Sequence, residues 1–352
     1  MPSRSISNTG LTLAVLSGAT FGTSGSFASS LLSAGWSPGA AVTARIIIAA
    51  LVLTPPALLR LRSTRPTARG LRSVVLYGIF AVAAAQLCYF NAVQHLSVAV
   101  ALLLEYSGIL LVIMWMWARH GHRPRRLTLT GGAVALAGLV LVLDLAGAQH
   151  VDLVGVCWGL GAAVGLAVYF VISASADDGL PPIVVAWGGL AVGAVVLGGA
   201  ILAGALPVHV TRTDVTLLSH RVSWIVPILG MSLIAAAIAY VTGIAAARLL
   251  GAKVASFVGL TEVLFAVGFA WLLLGQSLDV AQAVGAALVV GGIALVRLDE
   301  LRSPVSLQAR STQELLGPPC ADPRPPSMIQ KCPSKQHQES SGRGSVVTFE
   351  PR

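Results

Sequence analysis

Charged residues are scarce in this chain. They make up 11% of its 352 residues, whereas hydrophobic residues make up 55%. A soluble domain carries about 25% charged residues, so this composition excludes an ordinary soluble protein. The net charge of +9 does not indicate nucleic acid binding, because the arginines stand in short loops and in the C-terminal tail. We therefore predict a polytopic helical membrane protein whose surface is covered by membrane lipid.

Cysteines and catalytic motifs are also scarce. The four cysteines, Cys88, Cys157, Cys320 and Cys332, have the spacing of neither a disulfide framework nor a metal site. The sequence contains no His-Glu-x-x-His motif, no phosphate loop and no dinucleotide fingerprint. We therefore predict a protein with no metal, no cofactor and no enzymatic activity.

Long apolar runs follow one another along most of the chain. A membrane helix needs about 20 apolar residues, and turn residues separate successive runs of that length. The sequence predicts ten spans, at 11–32, 40–59, 72–93, 97–118, 128–146, 153–173, 182–204, 223–243, 253–274 and 280–297.

Two stretches, 97–143 and 251–296, share a residue pattern when one single-residue gap is placed between Gly121 and Gly132. The shared positions are Val100, Ala101, Leu110, Trp117, Gly121, Gly132, Ala133 and Gly138 in the first copy, and Val254, Ala255, Leu264, Trp271, Gly275, Gly285, Ala286 and Gly291 in the second. Four arginines follow the tryptophan of the first copy, and the loop after the second tryptophan has none. Equivalent elements therefore face opposite sides of a membrane, as in transporters built from inverted repeats.

The distribution of Lys and Arg gives the orientation. If the N-terminus is cytoplasmic, the outer loops hold only Arg212 and Arg221, and the other Lys and Arg residues outside the spans lie on the inner side. This bias predicts a multi-pass protein of the cell membrane with both termini cytoplasmic. Five spans in each half is an odd number, so the second half enters the membrane inverted.

These observations predict an all-α membrane protein with ten transmembrane helices in two inverted five-helix repeats. Its parts are a cytoplasmic N-terminus at 1–10, repeat 1 at 11–146, repeat 2 at 153–298 and a cytoplasmic tail at 299–352. The tail is rich in Pro, Ser, Gln and basic residues and poor in apolar runs. Such a composition is typical of disorder.

Three motifs in the apolar spans match the pattern of a known family. They are Ala101-Leu102-Leu103-Leu104-Glu105-Tyr106 in span four, Val258-Gly259-Leu260-Thr261-Glu262-Val263-Leu264-Phe265-Ala266 in span nine, and Arg45-Ile46-Ile47-Ile48-Ala49-Ala50 in span two. On these motifs, residues 11–298 resemble the EamA family of the drug/metabolite transporter superfamily. The resemblance implies ten helices and the transport of small metabolites, often export.

Two positions depart from the pattern of that family. Members often have proline shortly after the span-four glutamate, where this chain has Ser107-Gly108-Ile109, so the resemblance does not predict a helix break there. Members usually have Gly-Glu at the end of span nine, where this chain has Gly275-Gln276. A carboxylate at that end of the helix is therefore not essential here.

Glu105 and Glu262 are the foremost candidate functional residues. A charge near the centre of a bilayer costs about 2.5–3.5 kcal/mol on insertion scales, so each carboxylate is expected to face a cavity or a partner. A group that is charged in one state and neutral in another is what a proton-coupled carrier needs. The alternative is a structural hydrogen bond between two helices.

Two basic residues in the spans have two interpretations each. Arg45 in span two extends to the interface, or it is a buried cation that pairs with a glutamate or attracts an anionic substrate group. Lys253, near the start of span nine, extends to the interface or contacts an anion at the inner mouth.

Uncharged polar and aromatic residues complete the candidate substrate and proton pathway. Gln86, Tyr89 and Asn91 in span three line a cavity or form hydrogen bonds between helices. Trp158 in span six and Tyr240 in span eight line a substrate path, or they serve in packing and anchoring at the interface.

We therefore predict a secondary active transporter of small metabolites or drugs that works by alternating access. Export and proton coupling are part of this hypothesis, and a homodimer is an open alternative to a monomer. The competing hypothesis is a membrane scaffold or complex subunit that transports nothing. Such a protein would keep the packing glycines but would need no buried carboxylates.

Overall fold

The structure is a computed structural model that describes residues 8–64, 66–96, 98–120, 125–142, 152–175, 179–217, 220–274 and 280–301. Helices in the first half are α1 (Asn8–Ser33), α2 (Pro38–Ser63), α3 (Ala68–Leu76), a π-helical segment (Tyr77–Ala84), α4 (Ala85–His95), α5 (Val98–Tyr106), α6 (Gly108–His120) and α7 (Arg126–Val142). The second half contains α8 (Leu153–Ala174), α9 (Pro182–Leu202), strands β1 (Val215–Leu217) and β2 (His220–Val222), α10 (Ile225–Ser232), a π-helical segment (Leu233–Ile238), α11 (Ala239–Leu250), α12 (Ala252–Gly259), α13 (Thr261–Leu274) and α14 (Val280–Leu301).

Eight helical stretches of the described residues are long and apolar enough to cross a membrane. The prediction of a helical, multi-pass membrane protein is therefore confirmed, while the count of ten spans stays a prediction. The small antiparallel hairpin of β1 and β2 is a departure from an all-α fold. The predicted end of span five, 143–146, lies outside the described residues.

Several helices extend beyond the predicted ends of their spans, and α11 extends farthest. The sequence predicts an end of span eight at residue 243, but α11 continues to Leu250 because the following residues stay largely apolar. It ends where Gly251 adopts a φ of 81°, a conformation that favours glycine. The last helix, α14, continues to Leu301, so the predicted start of the tail at 299 falls inside it, and Asp299 is buried.

Spans four and nine are each interrupted at a single residue, Ser107 and Leu260, and a hydroxyl-bearing residue lies at or next to each interruption. Ser107 separates α5 from α6, and its hydroxyl donates to the carbonyl of Leu104 at 2.5 Å. Thr261 begins α13, and its hydroxyl donates to the carbonyl of Val258 at 2.7 Å. The same bond occurs at Thr20 and Thr23 inside the uninterrupted α1, so it accompanies the two interruptions and is not by itself their cause. In span four the interruption forms although proline is missing there.

Helix boundaries recur at a constant interval of 154 residues. Ala85, Val98 and Arg126 begin helices, and so do the residues 154 positions later, Ala239, Ala252 and Val280. Both π-helical segments end at positions related by the same interval, and so do the hydroxyl residues at the two helix breaks. A π-helical segment is rare, so its presence at equivalent positions of both halves indicates a shared local structure.

The helices α7 and α14 pack against each other through glycines, in antiparallel directions. A Cβ atom added at Gly138 would lie 2.6 Å from the Gly285 carbonyl oxygen, and one added at Gly292 would lie 2.5 Å from the Gly131 carbonyl oxygen. Gly138 and Gly292 are 154 residues apart, and so are Gly131 and Gly285. The two contacts are therefore equivalent under this interval. The single-residue gap in the sequence alignment is therefore wrong, since it relates Gly138 to Gly291 and not to Gly292.

Two further glycine contacts join the first helix of each half to the other half. Gly10 in α1 packs against Leu249 and Leu250 at the end of α11. In the other half, Gly155 in α8 packs against His95 and Leu96, 154 positions before those leucines. The absence of a Cβ atom lets the helices approach closely at both ends.

The end of α4 and the start of α8 are joined by a polar pair. The His95 ring nitrogen Nδ1 lies 2.7 Å from the Asp152 carboxylate, which also accepts the backbone N–H of Val154 at 2.9 Å. The bond from Val154 holds the pKa of Asp152 below its ordinary value, and His95 contributes in the same direction. Asp152 thereby caps the N-terminus of α8.

Replacing Asp152 with Ala is expected to lower the melting temperature of the protein by a few degrees at neutral pH. A carboxyl group with a lowered pKa stabilises the folded state above its unfolded pKa of about 3.9, and this contribution is lost as the pH falls through the folded pKa. Melting curves of wild type and Asp152→Ala should therefore converge in acid. A constant difference between pH 7 and pH 3 would contradict this account.

Candidate functional site

A cavity of about 340 Å³ lies between the helices of the two halves. Pockets for small ligands begin at about 300 Å³, so the cavity has room for a small metabolite. Of the nine residues that the sequence predicts for the pathway, six line it: Arg45, Gln86, Tyr89, Glu105, Tyr240 and Glu262.

The broken helices bring both glutamates to the cavity. Glu105 lies two residues before Ser107, in the last turn of α5, and Glu262 lies in the first turn of α13. The Tyr106 hydroxyl lies close to the Glu262 carboxylate and interacts with it. Both side chains are only partly buried because they face this opening. Unwound helices in transporters expose polar groups to a central site in the same way.

Arg45 is a buried cation on the cavity wall. Its residue is 5% exposed, and one guanidinium nitrogen, Nη1, donates to the Ser24 hydroxyl at 2.8 Å. The Arg45 guanidinium also interacts with the Tyr240 hydroxyl. Its Nε atom makes no hydrogen bond. Of the two interpretations of Arg45 from the sequence, the structure therefore favours the buried cation.

The charged groups of the cavity interact electrostatically without forming a direct ion pair. Arg45 attracts both Glu105 and Glu262, and the two carboxylates repel each other. Among the described residues, the ion pairs within 4 Å do not include one between Arg45 and either glutamate. The space between these charges is therefore available to a polar ligand.

Aromatic side chains form one end of the cavity. Tyr240 packs edge to face on Phe21, with ring centroids 5.1 Å apart, and on Tyr169, with centroids 5.9 Å apart. Tyr77 lies behind them, fully buried, with its ring 5.9 Å from that of Tyr169. Aromatic pairs in this geometry stabilise packing, so these rings form a packed wall at that end of the cavity.

Three predicted residues lie outside the cavity lining. Asn91 donates to the Leu87 carbonyl oxygen of its own helix at 2.7 Å, and it lies on a different face of α4 from Gln86. Trp158 is 39% exposed on the outer side of α8. Lys253 is directed away from the cavity to Asp299, with the two charged groups 3.8 Å apart.

Several lining residues are not among those that the sequence predicts for the pathway. They are Phe21, Ser24, Tyr106 and Phe170. Tyr106 follows Glu105 directly, and this adjacency in a broken helix is a signal that the sequence offers. The other residues have no local signal, because apolar and small residues are common in every span.

Pairs of residues at equivalent positions of the two halves line the cavity. Gln86 and Tyr240 are 154 residues apart and follow the two π-helical segments, and Glu105 corresponds in the same way to Gly259. The backbone positions are therefore shared between the halves, whereas the chemical groups differ. The site is asymmetric in charge although it is built on equivalent helices.

Comparisons with known proteins agree with this architecture. A family model described as the EamA-like transporter family matches residues 8–144 and again residues 153–298. A crystal structure, described only as "Crystal structure of protein", is similar with a TM-score of 0.66 and 21% sequence identity, and the match covers 85% of this chain and 100% of that one. Identity at this level shows the fold alone. No curated protein matches the sequence.

Proposed function

This chain belongs to the EamA-like transporter family, whose model matches it over both halves, and on this premise we propose that it is a secondary transporter that exports small metabolites by alternating access. The observation that carries the proposal is the central cavity with two carboxylates and a buried guanidinium on its wall. A charge within a membrane helix is costly, and three such groups around one cavity are best explained by a ligand.

The inverted arrangement of the two repeats is part of the proposal. Its support comes from equivalent helices that run in opposite directions: α7 and α14 begin 154 residues apart and pack antiparallel. The charge distribution of the sequence supports a location in the cell membrane with cytoplasmic termini. Two repeats of opposite orientation can exchange their conformations, so that the cavity faces one side of the membrane and then the other.

Proton coupling is the proposed driving force. The positions of Glu105 and Glu262 support it, because both carboxylates reach the same cavity and one proton bound there would reduce their mutual repulsion. A ligand and a proton would then compete for the same groups. Lys253 is proposed to act outside the cavity, and Trp158 and Asn91 are proposed to serve packing.

The test begins with a thermal-stability screen of the purified protein against small metabolites. A ligand present at 100 times its dissociation constant stabilises a protein by about 2.7 kcal/mol, so true ligands should raise the melting temperature. The best stabiliser is then used for efflux from proteoliposomes, with and without a pH gradient. We expect efflux that is faster with the gradient.

The outcomes of this experiment separate the competing hypotheses. Equal efflux with and without the gradient would reject proton coupling and leave a facilitator. If no metabolite stabilises the protein and none leaves the proteoliposomes, a membrane scaffold that transports nothing would replace the proposal.

A further inference from the structure

The cavity extends toward one face of the molecule only. Its lining includes Ser29 and Leu32 near the end of α1, and Pro38 and Ala41 at the start of α2. In the other direction it stops at Ala14 and at the aromatic rings. The equivalent part of α9 does not contribute to the lining in the described residues. The cavity is therefore closed on the face where α1 begins.

A polar cluster lies on the closed face, where three helix ends meet. The Thr128 hydroxyl of α7 donates to the Asp299 carboxylate of α14 at 2.5 Å. The Lys253 ammonium of α12 lies 3.3 Å from the Thr128 hydroxyl and 3.8 Å from the Asp299 carboxylate, and the Arg125 guanidinium approaches that carboxylate to 3.9 Å from the exposed side. Asp299 is 3% exposed and Thr128 is fully buried. We call Thr128, Lys253 and Asp299 the polar clasp.

The polar clasp holds a cavity helix against the pair α7 and α14. Lys253 is one residue into α12, and Ala255 of the same helix lines the cavity. Farther along α12, Phe257 is buried in an apolar cluster with Leu139 and Val289. Gly251, with its φ of 81°, separates α12 from α11 and supplies a point of rotation.

The positions equivalent to the clasp carry no charges. At the interval of 154 residues, Thr128 corresponds to Gln282, Lys253 to Ala99, and Asp299 to Leu145. An ion pair that has no equivalent in the other half stabilises one of two otherwise related conformations. Breaking a buried pair leaves an uncompensated charge, which is strongly unfavourable.

We propose that the polar clasp of Thr128, Lys253 and Asp299 is the gate latch on the closed face, which favours the conformation whose cavity faces the end of α1. This inference rests on the proposed alternating access. Opening of the closed face would separate α12 from α7 and α14, so Lys253 would leave Asp299. Without substrate, the clasp thus favours the conformation in which the cavity opens at the end of α1.

The test measures thiol accessibility and needs no ligand. In a variant whose four cysteines are replaced by serine, single reporters Ser29→Cys and Ala14→Cys are labelled with a membrane-impermeant maleimide, added to either side of sealed vesicles. With the clasp intact, we expect labelling of the Ser29 reporter from one side and little labelling of the Ala14 reporter from the opposite side. Asp299→Asn should raise the labelling rate of the Ala14 reporter from the opposite side about tenfold and lower that of the Ser29 reporter.

Two further variants and a control keep the result interpretable. Lys253→Met and Thr128→Val remove other members of the clasp and should change the labelling in the same direction, even if Asp299→Asn fails to fold. Asp152→Asn removes a carboxylate on the other face. It should leave the Ala14 reporter unlabelled from the side opposite to that from which the Ser29 reporter is labelled. Melting curves identify variants that have unfolded.

The failure of the latch and the failure of the proposed function give different results. If Lys253→Met and Thr128→Val fold and label as the parent protein does, the latch is rejected, whatever the efflux assay shows. If the parent protein moves no metabolite although the labelling shifts, the conformational change stands and the transport function is rejected.

Discussion

Replacing Glu105 or Glu262 with Gln is expected to reduce proton-driven efflux tenfold to a hundredfold. Glutamine has nearly the same shape as glutamate but neither carries a charge nor releases a proton. A hydrogen bond to a charged group contributes about 1.5–3 kcal/mol, and each 1.4 kcal/mol corresponds to a factor of ten. The measurement is the initial rate of efflux from proteoliposomes with an imposed pH gradient.

The two glutamates are expected to differ in what they lose. Glu262 interacts with the nearby Tyr106 hydroxyl, so Tyr106→Phe should reproduce part of the loss seen for Glu262→Gln and leave the role of Glu105 intact. Asp152→Asn is the matched control, because it neutralises an exposed carboxylate outside the cavity. Normal efflux in both glutamine variants would show that the carboxylates are structural.

Replacing Gly292 with Leu is expected to destabilise the protein strongly, whereas Leu at the neighbouring Gly291 is expected to be tolerated. A side chain at Gly292 would meet the backbone of Gly131 at 2.5 Å, and a backbone cannot move aside as a flexible side chain does. A Cβ atom at Gly291 would have no neighbouring atom within 4 Å. Overpacking costs about 1–3 kcal/mol, and more where nothing can relax.

Melting temperature and the yield of folded protein in detergent measure this difference. Glycine is the poorer helix former, so Gly291→Leu should be neutral or slightly stabilising. Gly138→Leu, on the facing helix, should resemble Gly292→Leu because its Cβ atom would meet the Gly285 carbonyl oxygen. Equal stability of the Gly291 and Gly292 variants would contradict the packing of α7 on α14.

Most helices could be located from the sequence alone, because length and hydropathy are local properties. The predicted spans 153–173 and 280–297 begin at the residues where α8 and α14 begin. The break in span four could not be predicted, since the family resemblance pointed to a missing proline. Ser107 and Thr261 lie at the interruptions and bond to backbone carbonyls, and a hydroxyl in a membrane helix more often does so without breaking it.

The register of the repeat shows how apolar patterns mislead. Glycine and alanine are so frequent in these spans that a one-residue gap aligns Gly132 with Gly285 and Gly138 with Gly291 equally well. Packing distinguishes neighbouring glycines, because residues one apart on a helix face directions about 100° apart. Gly131 contacts Gly292 and Gly138 contacts Gly285. These two contacts are equivalent only if the repeat interval is 154 residues.

The sequence predicted the cavity lining only in part, for charged and uncharged residues alike. Glu105, Glu262 and Arg45 had to avoid lipid, and all three line the cavity. Lys253 had an equal reason to avoid lipid, yet it lies in the polar clasp with Asp299. A tail that begins at 299 leaves this partner out of the spans, so the sequence did not indicate the pair.

The sequence by itself determined that this chain is a set of apolar helices in a membrane, because too few charges are present to cover a soluble surface. It also determined which side chains are too costly to expose to lipid. The tertiary structure alone decided which of them meet, since the rotation of each helix depends on breaks, π-helical segments and glycine contacts between distant residues. For that reason Gln86 and Tyr240 line the same cavity. Asn91 is only five residues from Gln86, yet its side chain donates to a carbonyl oxygen of its own helix.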